Sequence, residues 1–142
     1  MSEVRYFLAT NVFRTSDAEK LHDIVERIAL NNYEEAQVSP VGDRGYRITG
    51  RGDIWALIPP GEEREDVDLD CDQDSVYMAL QEILPEGEAI ILSVIGSDGR
   101  ADVYADCVVI TNDNIEYCTM ETMATNMARQ MLGNPEYRPK FW

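Results

Sequence analysis

Residues 62–74, EEREDVDLDCDQD, place an aspartate at every second position from Asp66 to Asp74. Carboxylates at close spacing can ligate a hard cation, exchange protons, or present charge. A helix–loop–helix calcium loop needs acids at positions 1, 3 and 5, a glycine at 6 and a bidentate Glu at 12. Starting at Asp70, position 6 is Ser75 and position 12 is Gln81; starting at Asp66 or Asp68, position 6 is Cys71 or Gln73 and position 12 is Tyr77 or Ala79. Every register lacks the turn glycine and the closing carboxylate, so a specific calcium site is not expected.

Acid–base catalysis asks for carboxylates in different environments that push their pKa values apart, and one exposed run offers a single wet environment. The only histidine, His22, lies between Lys20 and Asp23 in a helical pattern and reads as a surface residue. No P-loop, G-x-G-x-x-G or G-x-S-x-G occurs. Three cysteines, Cys71, Cys107 and Cys118, include no C-x-x-C, and reduced, buried thiols are the expectation. No catalytic residue, metal site or cofactor is assigned, and the chain is not expected to be an enzyme.

Presenting charge remains. On a strand, alternate side chains share a face at roughly 6.4–6.8 Å spacing. Asp66, Asp68, Asp70, Asp72 and Asp74 would then form a line, with Val67, Leu69 and Cys71 facing inward. DNA carries one phosphate per ~3.4 Å of each strand, so such a line approximates every second phosphate. The expected partner-binding set is Glu62, Glu63, Glu65, Asp66, Asp68, Asp70, Asp72 and Asp74. The plainer alternative is a solvated loop, or charge guarding an edge strand and feeding the next helix.

The net charge of −15 argues against direct nucleic-acid binding and against docking on anionic lipid. It is uneven: residues 61–74 hold eight acids and one arginine, nearly half of the excess. Only Lys20 and Lys140 are lysine among the twelve basic residues, a bias that also suits a halophile with a generally acidic surface. At 142 residues and 44% apolar composition, one globular domain is expected. No apolar run approaches the ~18 residues of a membrane span, and the N-terminus lacks a signal-peptide layout, so a cytoplasmic location is expected.

The elements follow from periodicity. VRYFLAT (4–10) reads as a strand. Ser16 and Glu19 form a capping box for a helix carrying Ala18, Leu21, Ile24, Val25, Ile28 and Ala29 on one stripe, closed by Asn31-Asn32. Two strands flank a Gly42–Gly45 turn, and Pro40 places the first at an edge. Residues 53–60 read as a further strand, or as the continuation of 45–50 through a kink at Gly50-Arg51-Gly52. Val76, Ala79, Leu80, Ile83 and Leu84 mark a helix ending before Pro85. Strands on either side of an Asp98-Gly99 turn and a third after Asn112-Asp113-Asn114 precede a last helix, about 120–132. That helix carries Met120, Met123, Ala124, Met127, Met131 and Leu132. Its stripe is core filler or, alternatively, an adaptable contact for a homodimer.

The expected fold is α+β: one mostly antiparallel sheet with three helices on one face, in β-α-β-β-α-β-β-β-α order, with a ferredoxin-like core over the first 96 residues. Residues 1–132 form the domain and 133–142 a short flexible tail. The expected function is a small acidic protein-binding module, such as a phage or mobile-element inhibitor or DNA mimic, engaging the basic surface of a nucleic-acid-binding partner. The alternatives are a small-molecule-binding domain or enzyme with a pocket between sheet and helices, and an ordinary acidic domain of a halophile. Arg44, Arg47 and Arg51 form a local basic patch that could pair with the aspartate run internally.

Overall fold

Strands arise where apolar residues alternate, and each finds a partner with its apolar side turned the same way. The computed structural model describes residues 5–32, 34–64, 69–97 and 103–140. In chain order the elements are β1 (Arg5–Thr10), α1 (Ala18–Glu26), β2 (Ile28–Leu30), β3 (Gln37–Val41), β4 (Gly45–Arg51), β5 (Ile54–Leu57), α2 (Gln73–Gln81), β6 (Ile90–Ser97), β7 (Val103–Ile110), β8 (Ile115–Thr119) and α3 (Met120–Leu132). A six-stranded sheet runs β3-β4-β1-β6-β7-β8, every pair antiparallel, and β2 with β5 makes a separate two-stranded sheet.

The class is therefore α+β, as the pattern of elements implies. The order β3-β4-β1-β6, with α1 and α2 as crossovers, is the expected split β-α-β arrangement. The β7–β8 hairpin extends it at one side. Pro40 does sit in an edge strand, where its missing N–H leaves no ladder gap.

The core lies between the sheet and the first two helices. Leu8, Ile48, Ile90, Leu92, Val108 and Ile110 face Leu21, Ile24 and Val25 of α1 and Val76 and Leu80 of α2. Ile28, Leu30 and Ile54 of the second sheet join the same cluster. α3 behaves differently: none of its residues is buried, and Met120, Met123, Met127, Met131 and Leu132 are exposed. The core-filler reading of that stripe is thus overturned, and only two of the three helices cover the sheet.

Two local expectations change for identifiable reasons. Ile28 and Ala29 leave the helix and pair with β5, opposite Leu57 and Ala56, because this buries all three residues of β2. Their spacing suited a helix equally, so tertiary pairing decided. The N-cap is Asp17, whose carboxylate accepts from the Lys20 N–H at 3.1 Å; Ser16 instead donates its hydroxyl to the Ile83 carbonyl. The Asp98-Gly99 turn lies outside the described residues, and the β6–β7 pairing closes at Ser97–Val103. Beyond α3, Gly133 caps the helix in a left-handed conformation, and Arg129 Nε donates to the Tyr137 carbonyl at 2.9 Å, drawing residues 134–137 back along it.

Candidate functional site

The acidic stretch is built from a turn, a coil and a helix start. Gly61 takes a positive φ of 78°, and Glu62 and Glu63 follow as exposed coil. Glu65, Asp66 and Asp68 lie outside the described residues. Asp70 is exposed coil, Asp72 is the N-cap of α2, and Asp74 sits in its first turn. The alignment of aspartates along a strand does not form over residues 69–74. Helix capping wins here, because the Asp72 carboxylate accepts from the Ser75 N–H at 3.3 Å and both acids lie at the positive end of the helix dipole.

β5 fastens this stretch. Trp55 Nε1 donates to the Leu69 carbonyl at 2.7 Å, the Asp72 N–H to the Trp55 carbonyl at 2.8 Å, and Gln73 Nε2 to the Ile54 carbonyl at 2.9 Å. The Leu57 N–H donates to Ser75 Oγ at 3.2 Å. Segment 69–75 therefore satisfies the edge of β5 that faces away from β2. Asp72→Ala is expected to cost about 1 kcal/mol through the lost cap, while Asp72→Asn stays near wild type, because asparagine caps as well as aspartate does. Urea unfolding of the two variants checks this.

Next to that helix start is a concavity of approximately 260 Å³ between α2, β5 and the outer strands of the sheet. Leu92, Val94 and Val108 supply its apolar lining, and Asp53, Gln73, Tyr77, Asp106, Tyr117 and Thr119 its polar groups. Tyr77 and Tyr117 meet edge to face with ring centroids 5.9 Å apart, and the Tyr117 hydroxyl donates to Asp74 Oδ1. Among the described residues, no Lys, Arg or His lines this hollow. Two larger hollows, of approximately 540 and 530 Å³, mix acids with arginines: Asp43 and Glu88 with Arg14 and Arg44 in one, Glu34 with Arg5 and Arg51 in the other.

The electrostatics follow from that imbalance. Burial raises the Asp53 carboxyl above its usual range, against a hydrogen bond from the Ile54 N–H and with help from the Asp106 charge. Burial, then the charges of Asp53, Asp74, Cys71 and Asp106, pushes the Tyr77 phenol from its ordinary 10.0 up to about 12. Tyr77 is only 4% exposed, and among the described residues nothing shares a hydrogen bond with its hydroxyl. A raised folded-state pKa means that the unfolded chain releases this proton first. The stability it contributes is intact below pH 10 and lost as pH rises from there to about 12. Alkaline unfolding monitored by near-UV absorbance should show this loss, and Tyr77→Phe should remove it.

The remaining candidates have plain surroundings. His22 is exposed, with Nδ1 at 2.8 Å from the Ala18 carbonyl and its ring edge-on to Tyr46. The ion pairs among the described residues are Lys20–Glu82 and Arg27–Asp23, so Arg44, Arg47 and Arg51 do not neutralise the acidic stretch there. Arg47 Nε donates instead to the Thr10 carbonyl. Cys71 is a free, exposed thiol, whereas Cys107 and Cys118 form a disulfide between cross-strand neighbours 5.3 Å apart at Cα. The expectation of three buried, reduced thiols is corrected accordingly. Among the described residues no three of His, Cys, Asp and Glu converge as metal ligands, and no helix is long and apolar enough to cross a membrane.

The sequence pattern did not single out Asp53, Tyr77, Asp106 and Tyr117 as a group. They are spread over 65 positions with no shared local spacing, and only the packing of α2 and the start of β5 against β7 and β8 unites them. Comparison with known proteins finds no match: no family model, no curated protein and no solved structure matches the chain.

Proposed function

We propose that the chain is a small acidic protein-binding module that engages the basic surface of a nucleic-acid-binding partner and competes with nucleic acid for it. One observation supports this above the others: β5 fastens the backbone around Asp70, the Asp72 carboxylate is held as the cap of α2 and the Asp74 carboxylate by Tyr117, close to a hollow that Asp53 and Asp106 line and that no Lys, Arg or His among the described residues lines. Clustered charge of one sign at a concavity focuses the field and steers an oppositely charged protein into contact. The charge is a cluster around a rim, so the mimicry is one of potential and not of phosphate spacing.

The test is affinity purification from the native host with mass spectrometry, comparing wild type with a chain carrying Gln or Asn at positions 62, 63, 65, 66, 68 and 70. A basic nucleic-acid-binding protein enriched with wild type, lost with the variant and displaced by added nucleic acid supports the reading. Equal enrichment with both chains sinks it. Stable folding of the wild type at low salt would set aside a halophile's generic acidity.

A homodimer through α3 is part of the proposal. Glu121 and Arg129 are its only charges, so this helix is neutral in a chain of −15. Antiparallel pairing about Thr125 sets Met123 against Met127 and Glu121 against Arg129. Sedimentation equilibrium should give a dimer that Met123→Glu with Met127→Glu converts to monomer. A wild-type monomer throughout the micromolar range would contradict it.

A further inference from the structure

We infer that the hollow where β1 and β4 meet the chain leaving β2 is a binding site for a small aromatic carboxylate. It encloses approximately 530 Å³, and Arg5, Phe7, Asn31, Glu34 and Arg51 are among its lining. That volume lies within the ~300–1,000 Å³ of small-molecule sites. A neighbouring hollow of approximately 630 Å³ shares Phe7, Glu34 and Arg51 with it and so continues it.

The sheet register assembles the site. Phe7 precedes the buried Leu8, so its ring leaves the sheet on the face opposite the core, where it is 55% exposed. Arg51 stands directly opposite Phe7 on β4, and Arg5 lies two residues back on β1, so both share that face. Ile95, the other register neighbour of Phe7, is 52% exposed and lengthens the apolar shelf. The chain has 27 acids against 12 basic residues, yet neither Arg5 nor Arg51 forms an ion pair among the described residues.

The wall beside these arginines is fixed in advance. Asn31 Oδ1 accepts from the Asp53 N–H at 3.1 Å, which leaves Asn31 Nδ2 as a donor with no acceptor among the described residues. Asn32 is held at both ends, by the Arg51 carbonyl at 2.7 Å and the Glu34 N–H at 3.2 Å. The Gly52 N–H donates to the Tyr6 carbonyl at 2.8 Å. A site ordered before its ligand arrives spends little of the binding energy on ordering itself.

These groups select the ligand. A guanidinium fork matches a carboxylate with two parallel hydrogen bonds, and the amide of Asn31 adds a third donor. The Phe7 ring favours an aromatic body over an aliphatic one. A cation would meet two guanidiniums. Glu34 in the same lining restricts the ligand to a single negative charge, and the net charge of −15 repels a polyphosphate.

The carboxylate has two sources, a free aromatic acid or the C-terminal aromatic residue of a protein. Neither rests on the reading of the acidic stretch, which this site does not use. The probes are phenylacetate, its neutral counterpart phenylacetamide, acetate, and an N-acetylated tetrapeptide ending in phenylalanine with a free or an amidated C-terminus. Each is titrated into the full chain and followed by two-dimensional NMR.

Saturable shifts at Arg5, Phe7, Asn31, Arg51 and Gly52 are expected with phenylacetate and the free-ended peptide. Phenylacetamide and the amidated peptide should bind about tenfold more weakly or worse, and acetate about threefold or worse. Arg5→Gln with Arg51→Gln should weaken phenylacetate about tenfold or more, whereas Arg14→Gln with Arg44→Gln, which removes equal charge elsewhere, should leave it unchanged. If the first double variant does not fold, Phe7→Ala replaces it and should weaken phenylacetate about threefold or more. Tighter binding of the free-ended peptide than of phenylacetate identifies a protein C-terminus as the source; equal or weaker binding identifies a free acid. Non-saturating shifts, equal binding of phenylacetamide, or an equal loss in both double variants overturns the inference, whatever becomes of the acidic stretch and its partner.

Discussion

Leu80→Ala is expected to cost about 3 kcal/mol, within the 2–5 kcal/mol typical of buried leucine truncations. Leu80 is 0% exposed and belongs to the cluster that joins α2 to α1 and the sheet. Truncation removes the apolar contacts and leaves a hole, because α2 is held at its first turn by β5 and cannot collapse freely. Against a total stability of roughly 5–15 kcal/mol this is a large fraction, equivalent to a fall of about 10 °C in Tm. Met78→Ala, on the exposed face of the same helix, should stay within about 0.5 kcal/mol. Urea unfolding should show a lower midpoint for Leu80→Ala at unchanged slope. Similar midpoints for the two variants would mean that α2 is not seated as described.

Gly52→Ala is expected to cost about 2–4 kcal/mol, which is large for the addition of one methyl group. The φ of Gly52 is +138°, in a region that side chains other than glycine's rarely enter. A Cβ there would also lie 2.7 Å from Asn32 Oδ1 and 3.1 Å from Asn31 Oδ1. Those amides are already committed: Asn32 Nδ2 donates to the Arg51 carbonyl and Asn31 Oδ1 accepts from the Asp53 N–H. The Gly52 N–H donates to the Tyr6 carbonyl at 2.8 Å, so the residue cannot swing aside without breaking a bond to β1. Gly61→Ala is the comparison, with a φ of +78° and open space around its Cβ, and should cost only about 1 kcal/mol. Equal midpoints for the two alanine variants would refute the strain argument. Gly52 is where the chain leaves the large sheet to build the small one, and that departure sets Asp53 at the pocket.

Much of the scaffold was legible because its signals are local. Pro40 announced an edge, Gly42 and Gly45 a turn, and the Leu80 stripe a buried helix; each depends on a few adjacent residues. Ile28–Leu30 was not legible, since its partner β5 lies some 25 positions away and only that pairing separates strand from helix. The Cys107–Cys118 pair was recoverable. The turn at Asn112-Asp113 fixes Ile110 opposite Ile115, and the same register carries Cys107 to Cys118. Of the candidate site, the acidic stretch was visible as composition, but its geometry was not. Alternation alone does not distinguish a strand from a coil leading into an Asp-capped helix.

Capped by Thr119 and Gly133 yet buried nowhere, α3 has an energetic consequence for the whole molecule. An isolated helix of this length is marginal in water, so most of its stability has to come from whatever covers it. Its melting is thereby uncoupled from that of the core, and amide hydrogen exchange would register two thermodynamic units in one chain. A surface that settled on the methionines would supply that folding energy, and its occupancy would then decide between an ordered and a frayed last helix.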